Sequence, residues 1–194
     1  MQDAALTVHE RLEHEDAQER VTGVARELRG RQIAPGTGRF LFSLVAHRPG
    51  CRVLEVGGSR GYSALWLASG ARVADGRVVS IEHDPQKARA WRANIREARL
   101  DDIAELLEGD AFALLGDGQR SEFEFAFIDA EKEDYDSLFP LVRKRLTAGS
   151  LVVADNVLSH VETLGAYSAA RQADPTLISV TVPLDRGLEL STVL

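Results

Sequence analysis

From Arg52 onward, short apolar runs alternate with segments of helical spacing, and this alternation narrows the possible folds more than any other feature. Strands are expected at 52–56, 77–81, 104–108, 124–128 and 150–154, the last with Gly149 ahead of it. Helices are expected at 62–68, 85–98, 111–115 and 135–146. Asp84 is placed to cap the second of these, with Pro85 at its favoured first position. Strands this short and apolar, separated by helices, imply a largely parallel sheet covered on both faces. Beyond them the pattern predicts a helix over 161–172 and strands over 177–182 and 187–193. Residues 183–187 are too few for a crossover helix, so the last two strands should pair antiparallel.

The first third is less regular. Val8, Leu12, Val21, Val24, Ala25 and Leu28 trace an incomplete helical stripe among many Glu and Arg, with Gly30 as the expected stop. Pro35–Gly36 is expected to break the chain. Phe40, Leu41, Leu44 and Val45 then form one face of a short helix ending before Pro49–Gly50. The division expected is a helical extension over 1–32 and one catalytic-type domain over 33–194.

Two neighbouring strand ends carry metal-binding oxygens. The strand ending at Ile128 runs into Asp129-Ala130-Glu131-Lys132, and the one ending at Ala154 runs into Asp155-Asn156. In a parallel α/β sheet the carboxyl ends of the strands open onto one crevice, so these side chains can converge. Two carboxylates and an amide oxygen suit a hard cation such as Mg²⁺, with positions left for water or substrate. Lys132 adds a candidate proton acceptor. The plainer alternative is that each acid caps the helix after its strand and that Lys132 is a surface lysine paired with Glu131 or Asp134.

Glu55-Val56-Gly57-Gly58-Ser59-Arg60-Gly61 joins the first strand to its helix. The spacing is GGxxG, which is not the dinucleotide fingerprint GxGxxG. An acid just ahead of the turn would repel a pyrophosphate, so Glu55 points to a ligand without phosphates that carries an amine. Glu82, ending the second strand, is placed to accept both hydroxyls of a ribose. Gly109-Asp110, after the third strand, would border the base. A nucleoside with a cationic amino-acid tail fits, and S-adenosylmethionine is the common one. Read singly, the glycine turn is a tight connection, Asp110 a helix cap, Glu82 an exposed strand end and His83 a surface histidine.

Composition closes off other classes. The net charge of −7 over 194 residues argues against a general nucleic-acid surface. Arg11, Arg20, Arg26, Arg29 and Arg31 form at most a basic edge. Cys51 is the only cysteine, so neither an intrachain disulfide nor a cysteine-based zinc site is available. Residues 1–20 lack the apolar core of a secretory signal, and no stretch reaches the roughly 20 apolar residues of a membrane span. A cytoplasmic protein is expected.

Taken in order, Leu54-Glu55-Val56-Gly57, Gly61-Tyr62-Ser63, Ile81-Glu82, Gly109-Asp110-Ala111, the run from Phe127 through Lys132 to Tyr135, and Asp155-Asn156-Val157-Leu158 resemble the cation-dependent O-methyltransferases. That family includes catechol and caffeoyl-CoA O-methyltransferases and many bacterial relatives. The resemblance implies a Rossmann-like seven-stranded α/β sheet with its last strand antiparallel, S-adenosylmethionine as methyl donor, a divalent metal (usually Mg²⁺), a small hydroxylated aromatic acceptor and a homodimer. By position it assigns Asp129, Asp155 and Asn156 to the metal and Lys132, with Asp129, to catalysis. It assigns Glu55, Gly57, Gly61, Ser63, Glu82, Gly109, Asp110, Ala111 and Asp129 to the donor. Gly58, Arg60 and Glu131 depart from the usual family residues. The segment after Leu158, which helps wall the acceptor pocket in relatives, is shorter here.

The chemistry implied is an in-line displacement, with an acceptor oxyanion held roughly 3 Å from the methyl carbon. A phenol ionises near about pH 10, so metal coordination by two vicinal hydroxyls would both form and position the anion. Lys132 could take the proton only when neutral. Three alternatives stay open: the same chemistry on a hydroxylated tRNA base, a nucleotide-dependent oxidoreductase, and a donor-binding protein without catalysis.

Overall fold

The computed structural model describes residues 3–25, 29–116 and 123–194. Leu28 and Arg26, invoked above for the helical stripe and the basic edge, lie outside the described residues. The chain forms helix α1 (Asp3–Val21), α2 (Pro35–Ala46), strand β1 (Arg52–Val56), α3 (Tyr62–Val73), β2 (Arg77–Glu82), α4 (Pro85–Glu97), β3 (Ala104–Glu108) and α5 (Ala111–Gly116). It continues through β4 (Phe123–Ile128), a 3₁₀ turn at Lys132–Asp134, α6 (Tyr135–Arg143), β5 (Leu146–Ala154), α7 (Val161–Ala173), β6 (Leu177–Val182) and β7 (Leu188–Val193).

The seven strands make one sheet in the order β3-β2-β1-β4-β5-β7-β6. β7 runs antiparallel to both neighbours, and the pairs among β1 to β5 are parallel. The strand order reverses between β1 and β4, and a crevice opens there at the carboxyl edge, as expected at a topological switch point.

Alternation along each strand sends side chains to two separate cores. Val53, Val78, Phe125, Phe127 and Val153 pack with α1 to α4. Leu54, Val56, Ile81, Ala126, Ile128 and Val152 pack with α5 to α7. Phe125 and Phe127 are fully buried, and truncating either to Ala should cost about 3–5 kcal/mol. Glu55 falls on the same face as Val53 and so points into the first core.

Three boundaries differ from expectation. The helix expected over 135–146 stops at Arg143, because Leu146 joins β5 and pairs with Phe123 across a register shift. Gly149 accordingly sits inside β5, at φ +80°. Pro35 does not break the chain but opens α2, where a missing N–H costs nothing. Helix α1 ends at Val21, well short of Gly30. It packs on α3 and α4 through Ala5, Val8, His9 and Leu12. His9 lies over Trp66, ring centroids 4.2 Å apart.

Candidate active site

The carboxyl ends of β1, β2, β3 and β4 bring Gly57, Glu82, Gly109, Asp110, Ala111 and Asp129 onto one crevice. Ser63 borders an adjoining depression with Gly57 and Asp129. Glu55 and Gly61 lie behind these surfaces: Glu55 is fully buried, and Gly61 is the left-handed residue (φ +91°) that starts α3.

The turn after β1 is fixed by its backbone. The Gly57 and Gly58 N–H groups both donate to the Ile81 carbonyl, at 3.0 and 2.9 Å. Gly57 sits at φ +98°, and a Cβ there would lie 2.2 Å from the Asp129 carbonyl oxygen. Only glycine lets β1 and the end of β4 approach this closely. Glu82 is buried rather than an exposed strand end. Its two oxygens accept from the backbone N–H groups of Ser59 (2.7 Å) and Asp84 (2.8 Å). Each oxygen keeps a lone pair, so the carboxylate is held in place yet can still accept from a ligand hydroxyl. His83 stands beside it, three-quarters exposed, with Nδ1 3.4 Å from Glu82. Asp110 caps α5, accepting from Phe112 and Ala113 N–H at 3.3 Å each, while still facing the crevice.

Glu55 accepts from the Ser80 hydroxyl through Oε2, but Oε1 has no partner at hydrogen-bonding geometry among the described residues. Burial pushes this carboxyl up to about 7; the nearby Ser63 and Ser80 hydroxyls oppose the shift, and the charges of Asp129 and Glu82 add to it. A buried acid with an unmet oxygen, adjoining the ligand depression through Ser63, suits a cationic amine.

At the end of β4, Asp129 faces both the crevice and a second, larger chamber of about 590 Å³ that also contains Lys132, Asn156 and His160. Lys132 is buried, 7% exposed, and is not a surface lysine paired with Glu131 or Asp134. Its Nζ donates to Asp129 Oδ1 (2.7 Å), the Ala130 carbonyl (3.0 Å) and the Tyr135 hydroxyl (3.1 Å). Glu131 instead pairs with Arg31 at 2.6 Å. Asn156 Nδ2 donates to Asp129 Oδ1 at 3.1 Å, and the Asn156 backbone N–H donates to Asp155 Oδ1 at 2.7 Å. Asn156 adopts φ +70°, which an asparagine tolerates better than most residues.

Asp155 is almost wholly buried. Its carboxyl is pushed up to about 7, by desolvation first and then by the charge of Asp129; the Asn156 N–H, Lys132 and Arg186 act the other way. Two acids confined together with too little positive charge nearby suit a divalent cation. Among the described residues no three His, Cys, Asp or Glu side chains are grouped to hold a metal. The candidate set is therefore two carboxylates and one amide. A cation here would take the amide oxygen, which requires the Asn156 amide to turn over from its present bond to Asp129.

Two features escaped the sequence reading. Tyr135 is buried beneath the pair, its hydroxyl donating toward the Ile128 (3.1 Å) or Asp155 (3.2 Å) carbonyl while accepting from Lys132. Burial holds that phenol well above its ordinary range. The second is the strand of chain at Gly30-Arg31, which borders both cavities. The Gly30 carbonyl accepts from the Ser59 hydroxyl (2.8 Å), and the Gly30 N–H donates to Glu19 (2.9 Å). No local pattern marks either contact.

Comparison with known proteins gives the family. The O-methyltransferase family profile matches residues 8–185. A catechol O-methyltransferase of Mycobacterium tuberculosis is 34% identical over 134 residues, covering 69% of this chain and 60% of that protein. This chain thus spans less than two thirds of that relative's length. A Mycolicibacterium smegmatis protein, named only provisionally as an O-methyltransferase, is 30% identical over 96% of this chain and 95% of its own length. A solved O-methyltransferase from Bacillus cereus in complex with S-adenosylhomocysteine superposes with a TM-score of 0.81 at 25% identity, over 97% of this chain and 91% of that one. The chain belongs to the O-methyltransferase family.

Proposed function

We propose that this protein moves a methyl group from S-adenosylmethionine to one hydroxyl of a small aromatic vicinal diol, with Asp129, Asp155 and Asn156 holding a divalent cation, most simply Mg²⁺. The observation that carries the reading is the position of Asp129. It borders the crevice that suits the donor, contacts Lys132 and Asn156, and faces the chamber open to an acceptor.

Glu55 and Glu82 would orient the donor, the first through the amine and the second through the ribose. The cation, when bound, stabilises the acceptor's oxyanion and fixes its position. The acceptor hydroxyl gives its proton to neutral Lys132. Its oxygen then attacks the methyl carbon as the C–S bond breaks, and the bonding pair returns to sulfur to leave S-adenosylhomocysteine. Lys132 spends all three ammonium N–H groups on Asp129, Ala130 and Tyr135, so it becomes a base only by losing a proton and one of these bonds. In this reading residues 1–32 form a helical extension on the methyltransferase domain of residues 33–194, and the enzyme works as a cytoplasmic homodimer.

The tRNA alternative is weakened by how the basic edge is used. Arg11 pairs with Glu15 and Glu97, Arg20 with Asp16, and Arg31 with Glu131. Among the described residues this edge is largely neutralised within the protein. A methyl-transfer screen of catechols, hydroxycinnamates, flavonoids and tRNA, with Mg²⁺ or with EDTA, tests the proposal. Transfer to a vicinal diol that EDTA abolishes is expected. Transfer to tRNA alone, or transfer indifferent to EDTA, would overturn it.

A further inference from the structure

Among the described residues, the apolar surface of the acceptor chamber comes from the carbon atoms of polar and charged residues. Every described side chain that lines it is charged or polar. A catechol ring would pack there on carbon stems and on no apolar side chain, so burial at about 25 cal/mol per Å² of apolar surface does little to tell one ring from another. Discrimination among acceptors then falls to the charged groups of the chamber.

Most of its cations are already engaged. Arg20 pairs with Asp16 (2.7 Å), Arg31 with Glu131 (2.6 Å) and Lys132 with Asp129 (2.7 Å), and Arg29 Nε donates to the Val24 carbonyl (2.6 Å). Arg186 differs. Its guanidinium makes no hydrogen bond or ion pair among the described residues, although its charge favours the ionised form of nearby Asp155.

Arg186 is also held firmly. Its carbonyl accepts from the Leu158 and Ser159 N–H groups, and the Gly187 carbonyl from Val157 N–H, all at 3.0 Å. On the other side, the Asp185 carboxylate accepts from the Thr37 N–H (2.6 Å) and hydroxyl (2.9 Å) at the start of α2. Gly187 has φ +83°, and a Cβ there would come within 2.3 Å of Leu158 Cγ. The turn between β6 and β7 is therefore clamped against the loop that carries Asp155 and Asn156. Such a clamp fixes the backbone that carries Arg186 at the chamber wall, lowering the ordering cost of binding. A guanidinium fork matches a carboxylate bidentately.

Resting on the methyl-transfer reading above, we propose that Arg186 determines acceptor specificity by binding a carboxylate on the acceptor. The preferred substrate is then an aromatic vicinal diol bearing an acid group, not a neutral catechol. The test uses the full chain with S-adenosylhomocysteine and Mg²⁺, titrated calorimetrically with 3,4-dihydroxybenzoate and with its methyl ester. Wild type should bind the acid at least tenfold more tightly than the ester. Arg186→Gln should bring the ratio close to one, and Arg186→Lys should keep part of it. The proposal is overturned if wild type binds the ester as well as the acid, or if Arg186→Gln leaves the ratio intact. It is also overturned if the substitution weakens both equally, since Arg186 would then serve only to balance Asp155. A parallel rate assay separates the two readings. An acid preference in binding without methyl transfer to either compound would remove the proposed reaction and leave the anion site standing.

Discussion

On the side of the crevice proposed for the donor, Glu82 and Glu55 are held by backbone N–H groups and serine hydroxyls; on the side proposed for the acceptor, Asp129, Glu131 and Asp16 are each held by the cation of another side chain. On the donor side the turn after β1 is set by strand register and Glu55 and Glu82 sit in β1 and β2, although Gly30, Arg31, Asp110 and Asp129 also reach this crevice. The acceptor side is assembled from distant stretches, including Asp16, Arg31, Asp129 and Arg186. Backbone hydrogen bonds fix geometry regardless of salt, whereas partly exposed ion pairs are screened and can exchange partners. In the proposed reaction the donor would be gripped by groups held on the backbone, and the acceptor chosen by side chains whose ion pairs can exchange.

If the two sides are separable, mutations should divide cleanly between them. The largest effect is expected for Asp155→Ala, which should lower metal-dependent turnover by a factor of 10³ or more, a loss on the order of 4 kcal/mol. Donor affinity measured by calorimetry should stay nearly unchanged. Equal loss of both would mean that the two sides fold as one unit.

Lys132→Ala should follow, lowering kcat by about 10²–10⁴ with little change in the KM for the donor. Unchanged turnover would reduce Lys132 to a structural partner of Asp129.

Glu55→Gln should show the opposite division, weakening donor binding while leaving Mg²⁺ affinity alone. It has a second readout. The folded carboxyl is raised from 4.5 to about 7, so the folded state holds its proton more tightly than the unfolded one. Stability from this group is full below pH 4.5 and lost as pH rises through about 7. At pH 8 the ligand-free wild type should carry a cost on the order of 3 kcal/mol that Glu55→Gln relieves in part, seen as a higher Tm. Donor affinity unaffected by the substitution would sever Glu55 from the ligand.

The smallest effect should come from His9, which lies outside both sides although its helix α1 also carries Asp16 and the Glu19 that anchors Gly30. Burial lowers His9 from 6.5 to about 4. Its contribution is intact above pH 6.5 and lost as pH falls toward 4. Thermal unfolding at pH 5 against pH 7.5 should register a loss of at most about 2 kcal/mol that His9→Phe abolishes. An identical pH response in the variant would place the acid sensitivity elsewhere.

The same contrast explains what the sequence made legible. Strand positions, the Asp84 cap and the antiparallel final pair follow from short-range patterns, and the structure matches them closely. The helix end near Arg143 is not legible in the sequence, because Leu146 fits either a helical stripe or a strand and only pairing with Phe123 decides. Within the site, the strand-end acids and the glycine turn could be found because each follows a recognisable strand. The burial of Lys132 on Tyr135, the Arg31–Glu131 pair and the isolation of Arg186 could not, since each depends on which distant segment packs nearby. A trace of Arg186 exists in its Asp185-Arg186-Gly187 setting, a tight turn with an arginine at its centre, but a turn does not reveal what it faces.

The most direct measurement is a titration with Mn²⁺, followed by the loss of its free-ion paramagnetic resonance signal, on the full chain with S-adenosylhomocysteine. One ion per chain is expected for the wild type, competed by Mg²⁺, with binding lost in Asp155→Ala. Undiminished Mn²⁺ binding in that variant, or none in the wild type, would contradict a cation held between Asp129, Asp155 and Asn156.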